Sequence, residues 1–312
     1  MSYKEMKEKI SVLIPTYNVG KFVEKAVRSI MLQSYDNLEI IIVDDCSTDN
    51  TFAVLQKLAD EDNRIKLFRN KQNMKIAATL NFALGQATGK YIARMDGDDI
   101  AENTRIEILY NYLQTHPGVK LVSSYLFCID ENDNILQEEI PPKDYDKIKK
   151  VALFGTPISH HWLTYKYIYE KYGNYRMSGA EDYDFILRLI SNGIKLANIP
   201  QKLYFMRIRK GNSASSMGLA QLKTANYIRK LYKERVKNNT NIDSYSEENY
   251  CKVLKSNYLE KKTFDISSFF FRKFVLRKKR EGIIYLPLAI LFSPYYQLQH
   301  IKNRVLYKIY KK

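Results

Sequence analysis

Cysteine is scarce in this chain. There are three in 312 residues, Cys46, Cys128 and Cys251, far apart and with no CxxC pair. No even disulfide framework can be drawn from them, which points to a reducing compartment. The start, MSYKEMKEKISVLIP, has no apolar signal segment of useful length, so a cytoplasmic location is expected. The apolar run Ile283–Phe292 is ten residues long and contains Pro287. A membrane-spanning helix needs ~20, so none is expected. GxGxxG and GxxxxGK[ST] are both missing, and with them the usual glycine signatures of dinucleotide and P-loop phosphate sites. There is no internal repeat.

What is present begins with charge. The formal net charge is +16, and residues 221–312 hold 21 Lys and Arg against 7 Asp and Glu. That tail carries +14 and leaves +2 for the rest. A basic tail of this kind meets nucleic acid, acidic lipid headgroups or only water. The length suits one large domain or a domain with an appendage.

Up to about residue 125 the pattern alternates strand and helix. Ile10–Ile14, Leu38–Val43, Ile65–Phe68, Tyr91–Arg94 and Val119–Ser123 read as strands. Helices are expected over 20–33, from Ser47–Asp49 caps to about Leu58, over Ile76–Leu84 and over Thr104–Thr115. The run LEIIIV suits a strand buried on both faces of a parallel sheet, and the alternation implies βαβ units. Further on, Asp130–Asn134 reads as a hairpin turn or loop, Asp144–Leu153 and Ala180–Ser191 as helices, and Ile194–Ile199 and Lys202–Ile208 as two strands parted by Pro200. The aromatic stretch 160–175 has no clear period. After Gly211 the chain is helical and basic, with Asn238–Asn241 the best linker.

In open α/β sheets ligands bind beyond the carboxyl ends of the strands. Three polar clusters fall there: Pro15-Thr16-Tyr17-Asn18, Asp44–Asp49 and Asp96-Gly97-Asp98-Asp99. The crowded carboxylates of the last repel one another unless a cation or solvent relieves them. Oxygen ligands select Mg²⁺ or Mn²⁺; an acidic turn leading into the next helix explains the same residues equally well. In the second cluster Ser47–Asp49 suit helix capping, and Asp44 and Asp45 exceed that need. Glu181-Asp182-Tyr183-Asp184 opens a helix, where carboxylates are favoured and a base would be kept ionised. Asp184 and Arg188 stand at i,i+4. Trp162 and the pair His160-His161 suit sugar stacking or the core.

Together these segments resemble the family 2 glycosyltransferases. The resemblance runs from about Ile10 to Ser216, through SVLIPTYNVGKFVEKAVRSIMLQSY, EIIIVDDCSTDNT, NMKIAATLNFALGQATGKYIARMDGDD, AEDYDFILRL and YFMRIRKGNSASS. It implies a Rossmann-like α/β fold of the GT-A type, with a mixed, mainly parallel sheet, over 1–220. A helical basic region over 221–312 would follow. It also implies an inverting transfer from a nucleotide-sugar donor, UDP-linked in the first instance, to a glycan or lipid-linked glycan. On that pattern Pro15, Thr16 and Tyr17 contact the nucleoside, Asp45 receives the base N–H, and Asn73 and Lys75 line the base pocket. Asp96 and Asp98 match the DxD pair, with Asp98 on Mn²⁺ or Mg²⁺ and Asp96 near the ribose or a metal-bound water. Asp182, beside Glu181, matches the general base. His161 and Trp162 are expected near the acceptor. Two positions depart from the pattern. Arg209 stands where a metal-binding His is common; a guanidinium cannot ligate a cation, but it can clamp diphosphate oxygens. Lys75 stands where glycine is common.

The tail segments Phe269–Leu276 and Ile283–Phe292, with Arg272, Lys273 and Arg277–Arg280 among them, suit docking on anionic lipid at the inner face of the cell membrane. A helical subdomain packed on the catalytic part is the alternative. Balanced charge over 1–220 and the acidic strand ends argue against nucleic acid as a partner. A nucleotide-sugar-binding protein without turnover would not need Asp182. A nucleotidyltransferase would want a basic phosphate loop, and Pro15–Gly20 has none.

Overall fold

A computed structural model describes residues 7–209, 218–276 and 284–311. Its centre is a nine-stranded mixed sheet in the order β3-β2-β1-β4-β8-β6-β9-β5, with β7 pairing β6. The strands are β1 (Ile10–Thr16), β2 (Leu38–Asp44), β3 (Ile65–Arg69), β4 (Tyr91–Arg94), β5 (Ile100–Ala101), β6 (Val119–Ile129), β7 (Ile135–Glu139), β8 (Leu163–Tyr165) and β9 (Lys195–Arg207). β1 to β4 are parallel to one another, as the alternating pattern requires.

Both faces of this half are covered, so β1 and β2 are buried at every residue. Leu13, Ile41, Val43 and Ile92 point into one core, with α3 (Lys75–Gln86) and α7 (Glu181–Ser191). Val12, Ile14, Ile40 and Ile42 point into the other, with α1 (Val23–Met31), α2 (Thr51–Glu61) and α4 (Arg105–Thr115). Period-two alternation along each strand produces this division.

The second half differs from the sequence expectation in three places. β6 runs to Ile129 rather than Ser123, and a turn at Asp130–Asn134 returns it as β7. β9 is one strand, not two. Its pairing with β6 jumps from Ser124↔Ile199 to Tyr125↔Lys202, so Pro200 and Gln201 sit in a bulge and the missing proline N–H breaks no ladder bond. The aromatic stretch resolves into β8 and α6 (Lys166–Tyr172). α5 (Tyr145–Val151) is slightly shorter than expected.

After residue 217 the described elements are all helices: α8 (Leu219–Asn238), α9 (Glu247–Leu254), α10 (Tyr258–Leu276), a short helix Tyr285–Phe292 and a terminal helix Pro294–Lys311. Asn239, in the expected linker, closes α8 in the left-handed conformation. Arg229 of α8 donates to the Leu153 carbonyl and the Tyr183 hydroxyl. Tyr307 of the terminal helix packs against Gly155, and Phe154 stacks on Tyr310. The tail helices thus rest on α5 and α7. Residues 210–217 and the basic run Arg277–Arg280 lie outside the described residues. No helix among the described residues is long and apolar enough to cross a membrane.

Candidate active site

Because β1, β2 and β4 are parallel, their carboxyl ends share one rim, and all three polar clusters lie on it. Pro15 and Tyr17 line a cleft of about 900 Å³ there. Thr16 does not open into it. Its side chain is buried, with the hydroxyl 3.4 Å from the Val43 carbonyl. Asp45 is buried as well. It accepts the backbone N–H groups of Met74 and Lys75 at 2.7 and 2.9 Å and the Asn70 amide at 2.7 Å, so it anchors the loop that carries Asn73. Lys75 sits at φ +68°, a left-handed conformation that glycine adopts at no steric cost.

The acidic loop follows β4. A Cβ on Gly97 would lie 2.6 Å from the Thr16 methyl and 3.3 Å from the Pro15 carbonyl. Gly97→Ala is therefore expected to push the loop off the rim and cost about 1–3 kcal/mol of stability, measured by urea unfolding. The donor atoms of Asp96, Asp99 and His160 lie within 4.8 Å of one another. This is not the pair that the sequence suggested. Asp98 instead gives its carboxylate to the Arg209 Nε at 2.6 Å, the cation that β9 brings alongside. Burial, then the charges of Asp99 and Asp96, push Asp98 up to about 6 in spite of Arg209.

β9 fixes the rest of the loop. The Arg207 backbone N–H donates to Asp99 at 2.7 Å, its Nε donates to the Asp98 carbonyl at 2.8 Å, and the Tyr204 hydroxyl donates to Asp99 at 2.8 Å. His160 stands 3.5 Å from Asp96 and 3.3 Å from Asp99. Burial opposes its charge, but the Asp96 charge and the Asp99 hydrogen bond prevail and raise it to about 9.

Buried Arg94 ties this cluster to the start of α7. It reaches Asp96 at 3.2 Å and Glu181 at 2.9 Å. The second Glu181 oxygen accepts the Gly179 N–H. Both Glu181 oxygens are thus committed. Asp182 is half-buried and lines the cleft, and its Oδ1 accepts only the N–H of the next residue among the described contacts. The expected Asp184–Arg188 pair forms at 3.0 Å.

Two acceptor expectations fail on burial. His161 is fully enclosed, stacked on Tyr204 at 4.2 Å with its Nε2 against Ser124. Trp162 is also fully enclosed, stacked on Phe185, and its indole N–H donates to the Tyr169 hydroxyl. Both belong to the core beneath the cleft. Sequence reasoning passed over Arg94, Tyr204 and Arg207. An arginine ending a strand two residues before an acidic cluster was the available signal for Arg94. Tyr204 and Arg207 lie in the segment YFMRIRKGNSASS, but nothing local shows that they act across more than 100 residues of chain.

Residues 11–173 match the family model described as glycosyl transferase family 2. An uncharacterized glycosyltransferase of Haemophilus influenzae is 33% identical over 237 residues, covering 71% of this chain and 72% of that one. The crystal structure of S. aureus TarS 1–349 with UDP-GlcNAc superposes with a TM-score of 0.62 at 18% identity, covering 97% of this chain and 91% of that one. The mannosyltransferase PcManGT from Pyrobaculum calidifontis, solved with GDP-Man and Mn²⁺, gives 0.55 at 17%, covering 96% and 87%.

Proposed function

The chain belongs to glycosyl transferase family 2 and is a glycosyltransferase, and from that premise we propose that it transfers a sugar from a UDP-sugar to a hydroxyl of a glycan or lipid-linked glycan, with inversion. The observation that carries this reading is convergence. Asp182, the acidic loop and His160 all line one cleft on the strand-end rim.

Each residue then has a task. Pro15 and Tyr17 flank the nucleoside. Asp45 holds the loop with Asn73 and Lys75 beside the base and takes the base N–H. Asp182, the carboxylate least committed to protein partners, takes the proton from the attacking hydroxyl. Glu181 is bound on both oxygens and sets the start of α7. Arg209 adds positive charge near the departing diphosphate. The donor set fits a hard divalent cation. Asp96 and Asp99 offer oxygens, His160 a nitrogen, and Asp98 a further carboxylate beside them. Such a cation, Mn²⁺ or Mg²⁺, supplies charge stabilisation for the leaving nucleoside diphosphate. The UDP-GlcNAc held by one structural neighbour supports the UDP donor, and the GDP-Man with Mn²⁺ held by the other supports a nucleotide sugar with a metal.

The test is calorimetric titration with a panel of nucleotide sugars, with and without Mn²⁺, on the wild type and Asp96→Asn. Tight binding of one UDP-sugar that needs Mn²⁺ and is lost in Asp96→Asn is expected; binding of none sinks the reading. The same titration has a pH dependence. His160, held up to about 9, must lose its proton before it can ligate. Mn²⁺ affinity should therefore rise with pH, by up to roughly tenfold per unit between about 7 and 9, with proton release visible as a buffer-dependent heat.

A further inference from the structure

We infer that the helical wall of the cleft receives a phosphate group carried by the acceptor, and that this acceptor is presented from a lipid surface. The inference rests on the glycosyltransferase reading and extends it to the acceptor's chemistry.

The cleft has two unlike linings. One holds Asp96, Asp98, Asp99, Glu181 and Asp182. The other comes from α8 and the terminal helix. It holds Arg229, Arg304, Lys308 and Lys311; Glu139 of β7 also lines the cleft and acts on Tyr307 of the terminal helix, one carboxylate against four cations. Among the described residues none of these cations is in an ion pair. Among the described residues Arg229 donates only to neutral groups: the Leu153 carbonyl, the Tyr183 hydroxyl and the Asn226 amide oxygen. Like charges gathered on one cavity repel unless an anion joins them. The repulsion is felt on the spot: His300 is held below the ordinary histidine value by burial and by the charges of Arg304 and Arg229. Guanidinium and ammonium groups together suit phosphate oxygens. The donor diphosphate has its own cation in Arg209 and its own place at the acidic loop, so the second basic group falls to the acceptor.

The terminal helix also shows where that acceptor comes from. A surface helix ordinarily buries its apolar face and shows its polar one. Here Gln299, Asn303, Arg304 and Lys308 face the cleft, while Leu298, Val305 and Ile309 are 52%, 50% and 58% exposed. The preceding helix adds Leu291, 71% exposed. Lys302, on the same helix, is exposed as well. An outward apolar stripe with cations beside it, in a tail of net charge +14, is complementary to an anionic bilayer surface. One helix would then lie in the interface and offer its other side to the phosphate of a lipid-anchored acceptor.

The probes are farnesyl diphosphate, farnesol and inorganic diphosphate, titrated into full-length protein saturated with UDP and Mn²⁺. Farnesyl diphosphate is expected to bind. Arg304→Gln/Lys308→Gln, a change at two exposed residues, should weaken it at least tenfold while UDP affinity stays within twofold. Farnesol binding as tightly as the diphosphate, or an unchanged double variant, overturns the phosphate site. Inorganic diphosphate binding as tightly as farnesyl diphosphate overturns the lipid source. Lost UDP affinity in the double variant assigns these cations to the donor and also overturns the proposal. Failure of UDP to bind the wild type is separate and counts against the donor reading instead. Leu291→Asp/Leu298→Asp should reduce cosedimentation with phosphatidylcholine–phosphatidylglycerol vesicles severalfold; no change refutes the docked helix.

Discussion

Asp182→Asn is expected to lower turnover roughly 10³-fold while UDP-sugar affinity stays within about twofold of wild type. The asparagine keeps the shape and can still accept the Tyr183 N–H, so the start of α7 should stand. On the proposed mechanism, what it loses is the ability to take a proton from the attacking hydroxyl. A loss of that size corresponds to about 4 kcal/mol of transition-state stabilisation. Glu181→Gln is the informative control. Glu181 is buried, with Arg94 on one oxygen and the Gly179 N–H on the other. Its substitution should act mainly on stability, not on the chemical step. If Asp182→Asn turned over normally with a defined acceptor, the base would have to be sought elsewhere on the cleft.

The largest stability effect is expected at Arg94. It is buried and bridges Glu181 and Asp96. Arg94→Met leaves Glu181 as a buried carboxylate without a counter-charge, which costs on the order of 3–5 kcal/mol. For a chain of this size that lowers Tm by roughly 10 °C. The pH dependence has a definite sign. Burial already raises Glu181 above the usual carboxylate value, against the pull of Arg94. Removing Arg94 raises it further. A folded-state pKa above the unfolded one favours folding at low pH and is lost as pH rises through the folded value. The Arg94→Met deficit should therefore shrink as pH falls toward the ordinary carboxylate range and be largest near neutrality. Arg94→Met/Glu181→Met should recover most of the loss, since no charge is then stranded. Thermal melts across pH decide this; a deficit independent of pH would mean that packing, not charge, is at issue.

These two sites show unequally in the sequence. Asp182 is visible because carboxylates crowd a helix start, a local pattern. So are β1, β2, β3 and β4, whose apolar runs and bounding turns set their ends within a residue or two. The acidic loop is visible for the same reason. Its partners are not. Arg207 and Tyr204 reach Asp99 only because β9 pairs along β6 with a bulge at Pro200, and no period in the sequence reports a register that skips two residues. His160 and His161 are neighbours with opposite fates, one against the acidic loop and one under Tyr204. Alternation along the chain separates them, but only the sheet tells which side is the cleft. Trp162 misleads for a related reason: a lone tryptophan in a sugar-binding context invites stacking, yet its N–H finds a tyrosine hydroxyl inside the core.

The long reach from Asp99 to Tyr204 and Arg207 bears on how the molecule is born. β1, β2, β3 and β4 close through short-range βαβ steps as the chain emerges from the ribosome. The acidic loop then has Gly97 seated on Pro15 and Thr16 and Asp96 on Arg94, but its Asp99 bonds must wait until about another hundred residues have been made and β9 has threaded beside β6. Distant pairings of this kind are slow because loop closure precedes its reward. A nascent chain halted at residue 173 would own β1 to β4 and an acidic loop without the Tyr204 and Arg207 partners of Asp99. On the proposed metal reading, cation affinity should therefore be the last property to appear during refolding, lagging behind secondary structure.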